Sequence, residues 1–156
     1  MRCLSAKIIS RSPGETERIG FNLGTFLKSS GSAKTVMLYG DLGTGKTTLV
    51  KGIASAFGIA KRDICSASFV IVAEYETSPP FYHMDLYRLE RPEAVDAAGV
   101  WEYIGTGGVV VIEWAERLHG DIEDAVKVYI THLKAEEREI IIEGVNSAEF
   151  MAACEE

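Results

Sequence analysis

Residues 34–58 read Lys34-Thr-Val-Met-Leu-Tyr-Gly40-Asp-Leu-Gly-Thr-Gly-Lys46-Thr-Thr-Leu-Val-Lys-Gly-Ile-Ala-Ser-Ala-Phe-Gly58, and this stretch decides the fold. Its first six residues are mostly apolar and β-favouring, which predicts a strand ending at Gly40. From Lys46 onward Leu49, Ile53, Ala56 and Phe57 recur at helical spacing, which predicts a helix stopped by Gly58. Between the two, Gly40 to Thr47 fits GxxxxGK[ST], the phosphate-loop pattern, in the context that gives it physical meaning: after a strand and before a helix. Glycines let such a loop turn its backbone N–H groups inward, and the helix behind adds its positive N-terminal end. A nucleoside triphosphate is the implied ligand.

Upstream, Leu4 to Ile9 suits a strand. Ser12-Pro13-Gly14-Glu15 then supplies an N-cap, a proline at the first helical position and a capping-box glutamate for a helix reaching about Leu27. Gly31-Ser32 marks the turn into Lys34. Downstream, Ser68 to Glu74 and Phe81 to Leu89 suit two strands joined in a hairpin across Ser78-Pro79-Pro80. Pro92 to Ala98 suits a short helix, and Val109-Val-Val-Ile112 has the unbroken apolar run of a strand buried on both faces in the sheet's centre. Ala125 to Leu133 and Arg138 to Val145 alternate on either side of Lys134-Ala-Glu-Glu137, which predicts a closing antiparallel hairpin, and Ser147 to Cys154 suits a terminal helix. The expected architecture is α/β: a single P-loop NTPase-like domain over residues 1–156, with a mixed, mostly parallel sheet flanked by helices and a C-terminal antiparallel hairpin. Its site is expected beyond the C-terminal ends of the strands.

A length of 156 residues with 47% hydrophobic content suits one domain with one core. Sixteen basic against 23 acidic residues leave a net charge of -7. That balance argues against strong nucleic-acid binding by the chain alone, because phosphate contacts need clustered Lys and Arg. An acidic protein can still serve an RNA pathway through other proteins. Cys3, Cys65 and Cys154 form an odd set with no CxxC pair, which points to reduced thiols rather than a disulfide framework or a zinc site. Lys7 interrupts the first apolar run and no stretch reaches ~18 apolar residues, so neither a secretory signal nor a membrane span is expected, and the cytoplasm is the default compartment.

Within the loop, Asp41, Leu42, Gly43, Thr44 and Gly45 form the cradle, Lys46 pairs with phosphate oxygens, the Thr47 hydroxyl ligates Mg²⁺ and Thr48 lines the first helical turn. A triphosphate site also needs a carboxylate near the metal. Glu113 ends the buried run at 109–112 as a Walker B acid would, placed to polarise an attacking water; a solvated strand end is the plainer alternative. Trp114 beside it reads as packing. Alternation in Phe81 to Leu89 puts His83, Asp85 and Tyr87 on one strand face and Met84 and Leu86 on the other. Asp85 is the candidate metal or water ligand, since an acid on the inner part of a strand is costly without a cation. His83 reads as a satisfied core residue, with a base or ligand the alternative, and Arg88 as either a salt-bridge partner or a transition-state finger. Ser66-Ala67-Ser68-Phe69 falls where many P-loop NTPases carry a switch, with Ser68 the hydroxyl to sense a γ-phosphate; a serine-rich turn is the alternative.

Taken together, GDLGTGKTTL at 40–49, SASF at 66–69, HMDLYRL at 83–89 and VVVIEW at 109–114 resemble, in order and spacing, the TsaE (YjeE-type) family of small bacterial ATPases. The HxDxYR element is the most distinctive part, because ordinary P-loop enzymes lack it. The resemblance implies weak hydrolysis of ATP with Mg²⁺, in support of threonylcarbamoyladenosine synthesis in tRNA by the partner proteins TsaB and TsaD. It also implies that Lys46, Thr47 and Thr48 hold phosphates and Mg²⁺, that Asp85 and Glu113 are the metal-side and water-side carboxylates, and that Ser68 is the switch hydroxyl. One departure stands out: the family usually shows Ser-Pro-Thr in the switch, whereas Ala67 and Ser68 here keep a hydroxyl without the proline's restraint.

Two other classes compete. A small-molecule phosphotransferase needs an arginine-bearing lid, whereas Arg88, Arg91 and Arg117 are scattered. A nucleotide-sensing module would bind without productive turnover. A GTPase is disfavoured because no Asn-Lys-x-Asp sequence occurs.

Overall fold

Ser12 and Glu15 cap the first helix reciprocally: the Ser12 hydroxyl accepts the Glu15 N–H at 3.1 Å and the Glu15 carboxylate accepts the Arg11 N–H at 2.5 Å. The Ser12 cap is the one expected from the sequence, while Glu15 reaches back to the Arg11 N–H, one residue before the N-cap N–H of a standard capping box; together they fix where the chain leaves β1 (Ser5–Ser10) and enters α1 (Pro13–Ser29). The computed structural model describes residues 5–29, 34–64 and 71–155. The turn expected at Gly31-Ser32, the switch residue Ser68, and Cys3 and Cys65 lie outside the described residues. The remaining elements are β2 (Thr35–Tyr39), α2 (Lys46–Ser55), β3 (Val72–Tyr75), β4 (Phe81–Asp85), α3 (Pro92–Ala97), β5 (Val109–Glu113), β6 (Val126–His132), β7 (Arg138–Glu143) and α4 (Ser147–Glu155).

The strands form one seven-stranded sheet in the order β1-β7-β6-β2-β5-β4-β3. Strands β6, β2, β5 and β4 run parallel to one another, while β3 and β7 are antiparallel to their neighbours and β1 is antiparallel to β7. Strand β1 therefore shares the direction of the parallel block, and only β3 and β7 oppose it. This is the mixed sheet expected, with the closing hairpin β6–β7 and a second hairpin β3–β4 at the far edge. All five residues of β5 are buried, as its unbroken apolar run requires of a strand covered on both faces.

Alternation along the central strands divides the interior in two. Val36, Leu38, Val111, Val128 and Phe81 face α1, α2 and α4, where Leu23, Leu49, Ile53 and Phe150 meet them. Met37, Val110, Ile112 and Met84 face the other way, against Leu86, Val95, Val100 and Trp101. Each fully buried aliphatic side chain of these layers contributes about 1.5–3 kcal/mol of apolar transfer. On the first face α1 buries Thr16, Ile19, Gly20, Leu23, Gly24 and Leu27 at helical spacing against α2. The helices approach closely there: a Cβ on Gly24 would stand 2.6 Å from the Ile53 carbonyl oxygen and 2.7 Å from the Ala56 methyl. That contact fixes α2, and with it the loop at its start.

Two expectations are corrected. Strand β4 stops at Asp85 instead of Leu89, because the Asp85 Oδ1 accepts the Tyr87 N–H at 3.0 Å and the Leu89 N–H closes a turn on the Leu86 carbonyl at 2.9 Å. Aspartate competes for its own backbone in this way and ends the ladder. Tyr87 therefore leaves the strand face it was expected to share with His83 and Asp85 and stands 46% exposed. The helix begun at Lys46 ends at Ser55, three residues short of Gly58, which adopts φ 81 in the turn that follows.

Candidate functional site

Parallel strands β2, β4 and β5 end side by side, with Asp85 in register with Glu113 and Leu38 in register with the same Glu113. The chain leaves β2 through Gly40, whose close approach admits no side chain: a Cβ there would lie 2.7 Å from the Ile130 carbonyl oxygen and 2.8 Å from the Thr44 hydroxyl. It enters α2 through Gly45 at φ 108, a left-handed conformation that strains any residue with a Cβ. Between them the Thr44 hydroxyl donates to the Asp41 carbonyl at 2.9 Å. The glycines thus bend the backbone into a compact loop ahead of a helix N-terminus, where backbone N–H groups and the helix dipole favour anions.

Lys46 is held within this loop. Its ammonium donates to the Gly40 and Asp41 carbonyls at 2.6 and 2.8 Å and lies 4.3 Å from the centre of the Trp114 ring. Burial pulls its pKa below the ordinary lysine value, while the nearby Glu113, Glu116, Asp85 and Asp41 carboxylates oppose the shift. Trp114 takes φ 58, rare for a residue with a side chain, and its ring packs on Tyr87 with centroids 4.9 Å apart. A strained residue whose ring contacts the loop lysine sits where function concentrates strain.

Glu113 is buried, and both its oxygens are engaged. The Thr47 hydroxyl donates to Oε1 at 2.9 Å, and the His83 Nε2 lies 2.6 Å from Oε2. His83 is 3% exposed, a satisfied buried residue as the sequence suggested, with Glu113 as its partner. A threonine that donates its proton to a carboxylate turns its lone pairs outward, so this hydrogen bond leaves the Thr47 oxygen able to ligate a cation. Asp85 is only partly buried beside this pair; burial raises its pKa, the Tyr87 N–H counters that, and the Glu113 charge raises it further. The pKa of Glu116, two residues beyond Trp114, is raised by burial as well.

These groups surround an open cavity of about 480 Å³. Of the residues singled out from sequence, Leu42, Gly43, Gly45, Lys46, Thr47, Thr48, Asp85 and Glu113 line it, together with Tyr87, Arg88 and Trp114. Asp41 and Thr44 face instead a neighbouring cavity on the β6–β7 side of the loop. Ser68 lies outside the described residues. Sequence reasoning assigned Trp114 to packing and missed its seat over Lys46; its position directly after Glu113 was the available signal. It also missed Glu116 and Arg138, which no local pattern marks.

Among the described residues no group of three or more His, Cys, Asp or Glu is placed to hold a metal alone. One hydroxyl with one or two carboxylates is instead the donor set suited to Mg²⁺, which keeps waters and shares phosphate oxygens. The residues present fit that ion. Among the described residues no helix is long and apolar enough to cross a membrane.

Comparison with known proteins converges on one family. The sequence model of the threonylcarbamoyl adenosine biosynthesis protein TsaE matches residues 10–140. The tRNA threonylcarbamoyladenosine biosynthesis protein TsaE of Treponema pallidum is 37% identical over 143 residues, covering 91% of this chain and 99% of that protein. The protein of the same name from Bacillus subtilis is 35% identical over 146 residues, covering 92% and 88%. The crystal structure of Bacillus subtilis YdiB superposes with a TM-score of 0.67 at 31% identity, over 97% of this chain and 92% of that one.

Proposed function

The chain belongs to the TsaE family, and on that premise we propose that it binds ATP with Mg²⁺ and hydrolyses it in the cytoplasm in support of threonylcarbamoyladenosine formation in tRNA. It acts on a TsaB–TsaD assembly rather than on the tRNA itself, a role that suits a net charge of -7. The observation that carries the reading is the convergence on one loop of Lys46, Thr47 and the buried Glu113–His83 pair.

Each residue has a task. Lys46 has three ammonium protons, two of them on loop carbonyls, and phosphate oxygens compete for those protons with a full charge. Leu42, Gly43, Gly45 and Thr48 line the cavity and would hold the phosphates there. His83 holds Glu113, Glu113 holds the Thr47 hydroxyl, and Thr47 and Asp85 offer oxygens to Mg²⁺. When bound, Mg²⁺ neutralises phosphate charge. Asp85 is the carboxylate nearer solvent and, with Glu113, would order the attacking water. Ser68 supplies the switch hydroxyl.

The test is ATP hydrolysis by the purified chain, alone and with TsaB and TsaD, beside Lys46→Ala. Phosphate released to water, stimulated by the partners and lost in the variant, is the expected result. Phosphate transferred to a small acceptor, or hydrolysis untouched by Lys46→Ala, would sink the proposal.

A further inference from the structure

We propose that Arg138, on the C-terminal hairpin, is a positioning residue for the phosphate loop: its guanidinium fixes the direction in which the Thr44–Gly45 peptide presents its N–H. The inference rests on the nucleotide-binding reading above and assigns a task to the hairpin, which that reading leaves without one. Arg138 opens β7, opposite His132 of β6 on one side and Ser10 of β1 on the other. Its Nη1 donates to the carbonyls of Ala135 and Glu137 at 3.2 and 3.1 Å, which anchors the guanidinium in its own turn. From that anchor Nε reaches the phosphate loop and donates to the Thr44 carbonyl at 3.0 Å.

A trans peptide is planar, so its C=O and the following N–H point in opposite directions. Among the described residues the cis bond is at Ser78–Pro79, and Thr44–Gly45 is trans. Holding the Thr44 carbonyl towards the hairpin therefore turns the Gly45 N–H to the opposite side of the loop. Gly45 lines the cavity that contains Lys46, whereas Arg138 does not and lines the cavities on the hairpin side of the loop, one of which Gly45 also borders. The preceding peptide has its own restraint, because the Thr44 N–H and hydroxyl both reach the Asp41 carbonyl, at 3.3 and 2.9 Å. Gly45 has no side chain to resist rotation of the Thr44–Gly45 unit, and a rotated unit would aim a carbonyl oxygen at the phosphates in place of a donor. A fixed guanidinium suits this task better than an ammonium, since its planar fork spans hairpin and loop at once.

The experiment is calorimetric titration of inorganic tripolyphosphate and of ATP into the whole chain, for wild type, Arg138→Met, Arg138→Lys and Ile140→Val, with a melting curve for each. Arg138→Met is expected to weaken both ligands alike, roughly tenfold, the scale of one hydrogen bond to a charged group. Arg138→Lys keeps the charge and the long stem, and is expected to lose affinity to a similar degree, so the outcome does not hang on the folding of the methionine variant. Ile140→Val, in the same strand, is expected to lower the melting temperature and leave both affinities alone, which separates loop positioning from general loosening of the hairpin. Affinities within twofold of wild type in Arg138→Lys, or an equal loss in Ile140→Val, would overturn the inference while leaving the nucleotide reading intact. A wild-type chain that binds neither ligand would overturn both.

Discussion

Replacing Glu113 by glutamine changes one atom of a buried side chain and tests the arrangement around Thr47. In the native site the two carboxylate oxygens meet two partners, the Thr47 hydroxyl at 2.9 Å and the His83 Nε2 at 2.6 Å. A carboxylate accepts from both; an amide has one acceptor and one donor end. If the amide oxygen stays with His83, its NH₂ faces the Thr47 hydroxyl, which must reverse and point its proton towards the cation. One hydrogen bond to a charged group is lost, worth about 1.5–3 kcal/mol, or roughly 10- to 150-fold in an equilibrium constant. Changes behind a metal ligand generally cost about 10- to 100-fold in affinity or activity, which agrees. Glu113→Gln is therefore expected to raise the Mg²⁺ concentration for half-maximal ATP hydrolysis by one to two orders of magnitude. Metal-free ATP binding, which depends on Lys46, should stay within a few-fold of wild type. The assay is a Mg²⁺ series at fixed ATP, with nucleotide binding measured in chelator and a melting curve to confirm folding. A Mg²⁺ midpoint within twofold of wild type, at normal turnover, would refute the idea that Glu113 aims Thr47.

Asp85→Ala should cut Mg²⁺-dependent hydrolysis by about 10- to 100-fold while sparing metal-free binding; normal turnover across the Mg²⁺ series would remove Asp85 from the metal's surroundings. Gly24→Ala should destabilise the fold by about 1–3 kcal/mol through overpacking against α2, even though alanine favours a helix by about 1 kcal/mol; an unchanged or raised urea midpoint would contradict the close helix contact. Tyr39 has its pKa raised from 10.0 to about 12, first by burial and then by Tyr129 and the carboxylates of Glu116, Asp121 and Glu143. The folded chain thus keeps a proton that the unfolded chain releases, so the stability tied to Tyr39 is intact below pH 10 and lost as the pH rises towards 12. Tyr39→Phe removes that loss, about 1–2 kcal/mol after allowance for its partial exposure. Denaturation of both proteins at pH 8 and pH 11 checks it, and an equal decline in the two would exclude Tyr39 as the cause.

Local patterns made most of this molecule legible. The reciprocal cap at Ser12 and Glu15, the apolar run at 109–112 and the alternation on either side of 134–137 each state a backbone preference within a few residues, and each appears where it was read. The strand expected to reach Leu89 failed for an equally local reason: the Asp85 side chain bonds the Tyr87 N–H, a competition that alternation does not weigh. The loop at 40–47 declared itself because its glycines, lysine and threonine lie within eight residues, so chain connectivity alone brings these groups together. By itself, then, the sequence determined the strand–loop–helix unit and the mixed sheet, and it singled out Lys46, Thr47, Asp85 and Glu113, which the fold gathers around one cavity. Tertiary structure decided what those groups touch. His83 meets Glu113 because β4 and β5 lie parallel in register, Trp114 covers Lys46 because the chain turns left-handed after β5, and Arg138 reaches Thr44 because the hairpin folds back beside β2. Those contacts join residues far apart in the chain, and nothing in a short window encodes them; packing of the sheet and burial of its faces bring them within bonding distance.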